Sequence, residues 1–283
     1  MVRRSRKLTD NGHHSNDTEQ NVSHIGGNLH PLTESDLSVI TSHAYDILSK
    51  VGMSSLPKMA TDRALKDGAW HRQDGRLCFS KDMIQNALDR APKRVFLPGF
   101  MPNRDLQIGG RRVHIGTGGA AVQVLDARTG KYRESNLQDL YDLMSIVDAS
   151  SNIHYGIRPI VPRDLSDPFD LDVNTAFACL KATSKPIGIS FCHPDHVEPI
   201  VKMFDIALGR PSAFRERPFC MAIIVHVVPP LTYAEEGILI LEKAVNSGMT
   251  PQICSAGQAG ATSPVTLAGA LAQGLAECLA GLV

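Results

Sequence analysis

The sequence predicts an α/β fold: about five β/α units of a partial (β/α)8 TIM barrel, preceded by an N-terminal α+β extension. Two observations predict it. From about residue 111 onward, apolar runs of five to ten residues alternate with amphipathic helical stretches, as βαβ units on a parallel sheet require. Near the end, the short apolar run Gln252–Cys254 leads through the Gly-containing loop Gly260-Ala261-Thr262-Ser263-Pro264 into a helix. Strand ends followed by a polar, tightly specified helix start are where α/β enzymes place binding groups. A complete barrel needs eight units and typically ~250 residues, so five units make up about five-eighths of one.

Residues 1–30 begin with Arg3, Arg4, Arg6 and Lys7, continue rich in Asn, His and Ser, and contain no apolar stretch of the kind a signal peptide needs. They read as a disordered tail, in preference to a metal tract built on His13, His14 and His24. Order begins near Leu32. Thr33 with Asp36 three residues on makes a capping-box start, and Leu37, Ile40, Ala44, Ile47, Leu48 and Val51 form one helical face that Gly52 ends. A second helix runs from Pro57 to Asp67, and Asp74-Gly75 marks a hairpin tip. Ser80 caps a third helix with Met83, Ile84, Ala87 and Leu88 on its apolar side, ended by Pro92. Residues 31–110 thus form the α+β extension, and residues 111–283 the incomplete barrel.

In the barrel, the Gly-rich run 113–125 supplies the first strand, and a hairpin turns at Thr129-Gly130. Helix 136–147 follows, with Leu137, Leu140, Met144 and Val147 on one face. Then come strand 153–161, helix 169–182, strand 187–191, helix 194–208, strand 219–228, helix 233–247, strand 251–254 and helix 264–283. Ser263 takes the N-cap of the last helix and Pro264 its first position, where a missing N–H costs nothing. Residues 259–283 carry one charge, Glu277, but Thr266, Gln273 and Glu277 recur along it and its apolar runs fall far short of ~18 residues, so it is a buried helix and not a membrane span.

Composition narrows the function. The 283 residues are 43% hydrophobic and 20% charged, enough to bury a core. Lys+Arg and Asp+Glu balance at 29 each, so no whole-chain field recruits nucleic acid or a membrane. Six scattered cysteines without C-x-x-C spacing read as reduced thiols of a cytoplasmic protein. Gly116-x-Gly118-Gly119 lacks the sixth-position glycine and the immediate helix of a dinucleotide fingerprint, and reads as a tight backbone approach.

Chemistry is expected where strands end. The second strand leads to Pro162-Arg163-Asp164, a surface ion pair or a fixed cation for a carboxylate. Cys192-His193-Pro194-Asp195-His196 follows the third, His226 ends the fourth and Cys254 the fifth. Two Cys and several His near one rim suit tetrahedral zinc, but adjacent strand residues point to opposite faces and no H-x-H or C-x-x-C pair exists. His154, beside Tyr155, is a core or rim residue.

An ordered series of segments resembles the trimethylamine methyltransferase family: Arg90-Ala91-Pro92, Gly116-Thr117-Gly118, Thr129-Gly130-Lys131-Tyr132-Arg133, Asp139, Asn152-Ile153, Arg163-Asp164, Ser263-Pro264-Val265-Thr266-Leu267-Ala268-Gly269, and Ala276-Glu277-x-Leu279-Ala280-Gly281. It covers nearly everything from Leu32 to Val283. One departure is Pro229-Pro230-Leu231, where the family usually has Ser-Pro-Leu. The other is length: family members continue through further barrel units, where the trimethylamine-specific ones carry pyrrolysine. The resemblance implies methyl transfer from a tertiary or quaternary amine, trimethylamine or a glycine-betaine-like compound, to Co(I) of a separate corrinoid protein. No cofactor is then bound directly, because the partner carries the corrinoid. For such a substrate Tyr155 offers a cation–π face. Arg163 or His226 offers a carboxylate partner, and Gly116, Gly118, His193 and Ser263 complete a candidate binding surface. The resemblance also implies that this length is a fragment, inactive by itself, and the unpaired outer strands of an open barrel leave it open to homo-oligomerisation. Two alternatives stand beside it: a zinc-dependent TIM-barrel hydrolase, and a non-catalytic remnant that binds a corrinoid protein.

Overall fold

The computed structural model describes residues 24–27, 29–54 and 56–283. His13, His14 and most of the expected tail lie outside the described residues. Where the tail is described it departs from expectation, because His24–Ile25 pair antiparallel with Arg112–Val113.

The architecture is mixed α/β. Four parallel strands, β1 (Gly156–Ile157), β2 (Ile187–Ile189), β3 (Cys220–Val225) and β4 (Thr250–Cys254), lie side by side in sequence order. Registers such as Ile157 opposite Gly188, Gly188 opposite Met221, and Ile223 opposite Gln252 hold them together. Helices α1 (Glu34–Asp46), α2 (Lys58–Lys66) and α3 (Lys81–Arg90) precede the sheet. Helices α4 (Leu137–Ala149), α5 (Pro168–Ala182), α6 (Val197–Ala207), α7 (Ala213–Glu216), α8 (Glu235–Asn246) and α9 (Leu267–Leu282) lie before, between and after the strands.

Period-2 alternation sorts the strand residues onto two faces. Ile187, Ile189, Cys220, Ala222 and Ile224 are buried against Leu140, Met144, Ala176, Ile200, Phe204 and Ile240 of the flanking helices. Ile157, Met221 and Ile223 turn the other way, onto Leu97 and Leu106 of the antiparallel pair Val95–Leu97 and Leu106–Ile108. Farther along β3 this second face is open, and Val225 is 51% exposed. Gly188 makes the layer possible, since a Cβ there would lie 2.9 Å from Ile223 Cδ1.

The expected first strand, 113–125, is not continuous. Its backbone pairs beside the sheet through the isolated parallel bridges Gly116 with Tyr155 and Ala121 with Ile160, not as a continuous ladder. Gln123–Leu125 instead pair antiparallel with Tyr132–Glu134. Three glycines in four residues supply no side chains to pack, and a strand weakened in this way keeps only isolated contacts. The expected strand 219–228 also divides: β3 stops at Val225, and Val227–Val228 pair back on Thr232–Tyr233 across Pro229-Pro230.

The N-terminal segment shares a core with the rest. Ala44, Leu48, Met53, Phe79 and Ile84 pack with Val227, Tyr233, Ala276, Leu279 and Ala280. Ser54 N–H and Arg76 Nη2 donate to Leu231 O at 3.0 and 2.9 Å, fastening this segment to the loop after β3. Its first helix starts as expected, with Asp36 N–H donating to Thr33 Oγ1 at 3.2 Å and Thr33 N–H to Asp36 Oδ2 at 2.9 Å. The last helix does not. Its N-cap is Thr266, whose hydroxyl accepts from Gly269 N–H at 3.3 Å, while Gln258-to-Ser263 closes as a separate turn in which Ala261, Thr262 and Ser263 N–H all donate to Gln258 O. That turn holds Ser263 and Pro264 outside the helix. Among the described residues no helix is long and apolar enough to cross a membrane.

Candidate functional site at the carboxyl ends of the strands

Backbone groups at the ends of parallel strands point at whatever lies above them, and the loops that leave there converge. Above β1 to β4 lies a cleft of about 590 Å³, within the range of small-ligand sites. Thr117, Gly118 and Gly119 form one wall, Arg158, Ser190 and Cys192 the strand ends, and Glu236 of α8 with Gln252 and Cys254 of β4 the far side. Thr117 Oγ1 donates to Ile157 O, and a Cβ on Gly119 would lie 2.7 Å from Arg158 O. The Gly-rich run therefore does what its composition suggested: it brings backbone against backbone beside the cleft.

Arg158 follows β1 directly. Its Nη2 donates to Ser190 Oγ at 2.8 Å, and its Nε is buried with no partner. Burial pulls the guanidinium below its ordinary range, against the opposing pull of Asp172. Asp172, buried on α5, accepts from Cys192 N–H and from His196 Nδ1, both at 2.7 Å, and its Oδ1 has no partner. The Cys192 thiol reaches solvent, yet its apolar surroundings and the Asp172 carboxylate push it up to about 11, so it is not a ready thiolate.

A second cluster sits behind the rim. Glu277 of α9 is fully buried, and among the described residues no ion pair reaches it. Its carboxylate accepts from Leu231 N–H at 2.8 Å, Gln273 Nε2 at 3.0 Å and Ser255 Oγ. His226 Nε2 lies 2.8 Å from Glu277 O. A carbonyl only accepts, so the neutral ring carries its proton on Nε2 and leaves the buried Nδ1 bare. Gly281 admits the ring, because a Cβ there would lie 2.4 Å from His226 Nε2. Glu277 thus ties the loops after β3 and β4 to α9.

Of the residues singled out in the sequence, Gly118 lines the cleft. Gly116 and Tyr155 touch each other, since a Cβ on Gly116 would lie 2.2 Å from the Tyr155 ring. Tyr155 packs with Leu97, Leu106 and Met221, toward the amino ends of the strands. Arg163 lies on the surface, its N–H donating to Ser135 O, while Asp164 accepts from Leu137 N–H at the start of α4. His193 is half-exposed and caps the short turn Pro194–His196 by accepting from Asp195 N–H at 3.2 Å. His226 faces α9, and Ser263 Oγ is buried without a partner in the turn before α9. Among the described residues no group of three or more His, Cys, Asp or Glu side chains is placed to hold a metal ion. The residues the sequence reading missed are Arg158, Asp172, Ser190 and Glu236. Their only sequence signal was position, one or two residues past a strand, facing it from the preceding helix, or in the first turn of the helix that follows.

The family model described as trimethylamine methyltransferase (MTTB) matches residues 1–283. The chain is 27% identical over 261 residues to trimethylamine methyltransferase MttB of Desulfitobacterium hafniense (strain DSM 10664 / DCB-2), covering 91% of this chain and 52% of that protein. It is 26% identical over 255 residues to glycine betaine methyltransferase of Desulfitobacterium hafniense (strain Y51), covering 89% and 52%. Trimethylamine methyltransferase MttB1 of Methanosarcina mazei is 25% identical over 269 residues, covering 91% and 53%. The chain spans about half the length of the curated relatives it matches.

Proposed function

The chain belongs to the trimethylamine methyltransferase family, and on that premise we propose that its cleft serves methyl transfer from a tertiary or quaternary amine to the Co(I) of a separate corrinoid protein. The observation that carries this reading is a cleft at the carboxyl ends of four parallel strands in sequence order, the place where (β/α)8 barrels hold their substrates. We read those strands as consecutive members of such a barrel. The corrinoid of the partner supplies the nucleophile that takes the methyl group. When a quaternary ammonium loses a methyl group, the C–N bond breaks, its electron pair stays on nitrogen and a neutral amine leaves. No proton need be delivered. What this chain's residues must do is position and desolvate: Ile157, Ile223 and Val225 give apolar wall, and Arg158 and Glu236 give fixed charge.

The test mixes the chain with reduced corrinoid protein and a panel of tertiary and quaternary amines, and follows the cobalt absorption. Four strands supply four rim loops, half of those that enclose a barrel site. The 283 residues alone are therefore expected to transfer methyl slowly, and a chain of the relatives' length at a useful rate. A misplacement of ~1 Å costs ~100-fold. Absence of transfer from every amine by the longer chain would refute the reading.

A further inference from the structure

The loop after β3 is held from two directions at one strained residue. Leu231 has a φ of 54°, a left-handed conformation that crowds its Cβ and persists only where the surroundings impose it. From one side its N–H donates to the buried Glu277 carboxylate at 2.8 Å. From the other its carbonyl accepts from Ser54 N–H at 3.0 Å and from Arg76 Nη2 at 2.9 Å. Arg76 is itself anchored in the N-terminal segment, donating from Nη2 to Gly52 O at 2.8 Å and from Nε to Val51 O at 3.0 Å. Its planar fork is thus spent on backbone carbonyls of two separate loops, a use that fixes one against the other.

What is held there leads directly to the cleft. Val227–Val228 pair back on Thr232–Tyr233, and Ala234 N–H closes the hairpin on His226 O at 2.9 Å. Tyr233 N–H is tied to Ser54 O at 2.9 Å. The hairpin starts from Val225 and runs into the first turn of α8, and Val225, Ala234, Glu236 and Gly237 all line the cleft. Gly237 seats the helix on the strand, since a Cβ there would lie 2.7 Å from Val225 O. A shift of the hairpin therefore moves one whole wall of the cleft.

We propose that Arg76 is a positioning residue for the reaction in the cleft: it holds Leu231 in its left-handed conformation and thereby sets the wall that carries Val225, Ala234 and Glu236. This rests on the methyl-transfer reading for what the cleft does. It adds that the N-terminal segment is part of the reacting apparatus, acting across 155 positions of chain. The strain at Leu231 makes the anchor matter. Without the Arg76 bond the residue relaxes toward an ordinary φ, and the peptide groups that Ser54 and Glu277 hold turn with it. Alignment for methyl transfer tolerates little such movement.

The experiment compares Arg76→Gln and Arg76→Lys with the unaltered 283-residue chain by amide hydrogen exchange. In Arg76→Gln, residues 226–238 are expected to exchange at least about tenfold faster, the worth of one charged hydrogen bond, while β2 and α6 keep their protection. Arg76→Lys keeps a charged donor without the fork, should fall between the two, and carries the test if Arg76→Gln does not fold. In a chain of the relatives' length, the cobalt assay should show the KM for the amine raised at least about threefold in Arg76→Gln, with kcat lowered as well. A loss of folded molecules would lower kcat and leave KM where it was. Unchanged exchange over 226–238, acceleration spread evenly over the sheet, or an unchanged KM overturns the proposal. Exchange involves no methyl transfer, so a silent cobalt assay defeats the transfer reading and leaves the exchange result to decide the role of Arg76.

Discussion

Glu277 joins three donors at the rim, from the loops after β3 and β4 and from α9 itself. A buried carboxylate without a cation is tolerated only when hydrogen bonds replace its water, and Leu231 N–H, Gln273 Nε2 and Ser255 Oγ do so here. Glu277→Ala would leave those donors facing a cavity. It is expected to cost about 3 kcal/mol in urea unfolding, with Glu277→Gln costing much less because the amide keeps one acceptor oxygen. Equal losses in the two variants would mean that volume, and not hydrogen bonding, is what Glu277 supplies. His226, packed on the same turn of α9, links stability to pH. Burial holds its pKa below the usual 6.5, against the opposing effect of the Glu277 carbonyl and charge. The unfolded chain therefore takes up the proton first. The His226 contribution is complete above about pH 6.5 and is lost as the pH falls from there through the folded-state pKa. The melting temperature should drop between pH 7.5 and 5.5, and more steeply than in a His226→Asn variant. Parallel curves for the two proteins would remove His226 as the titrating group.

At the scale of elements, hairpins and caps do much of the positioning. Arg133 reaches both Asp126, at 3.2 Å, and Asp139, at 2.6 Å, while Asp139 also completes the capping box of α4 with Asn136. The Thr129-to-Arg133 stretch and Asp139 are therefore fasteners that hold a hairpin onto a helix start. The start of α9 separates two candidate caps. Thr266→Ala removes the bond from Gly269 N–H and is expected to cost about 1 kcal/mol. Ser263→Ala removes a buried hydroxyl that has no partner and is expected to be neutral or slightly stabilising. Chemical denaturation of the two variants side by side checks this, and the reverse ranking would return the cap to Ser263.

For the whole molecule, the sheet has an open side. β4 is its edge strand, and the face of β3 bearing Val225 is uncovered near the cleft. Leu282 of α9 adds exposed hydrocarbon beside Pro251 and Ile253 of β4. An unpaired strand edge beside apolar surface invites pairing with another chain. The 283-residue chain should self-associate, shown by a sedimentation coefficient that rises with concentration. A monomer across the full concentration range, unfolding in one sharp transition, would show that these surfaces do not drive association.

Much of this molecule was legible in the sequence because it depends on neighbours along the chain. Thr33, Ser80 and Gly52 act within one turn of their own helices, and the apolar periods of α4, α5 and α8 report a buried face wherever the helix docks. The order β1 to β4 followed from strand and helix alternation for the same reason. The sequence also carried Glu277 in plain view, as the lone charge of an apolar helix, without saying what it holds. Only the tertiary structure decided that Gly281 faces His226, that Gly116 faces Tyr155, and that the run 113–125 pairs through two isolated bridges in place of a continuous strand. It alone set Arg158, Ser190 and Glu236 around one cleft while turning His226 toward α9 and leaving Arg163 on the surface. Arg158, Ser190 and Glu236 lie 32 to 78 positions apart in the chain. Which of them meet depends on strand register and on the turns that end each strand, and a one-residue change in register points a side chain to the opposite face.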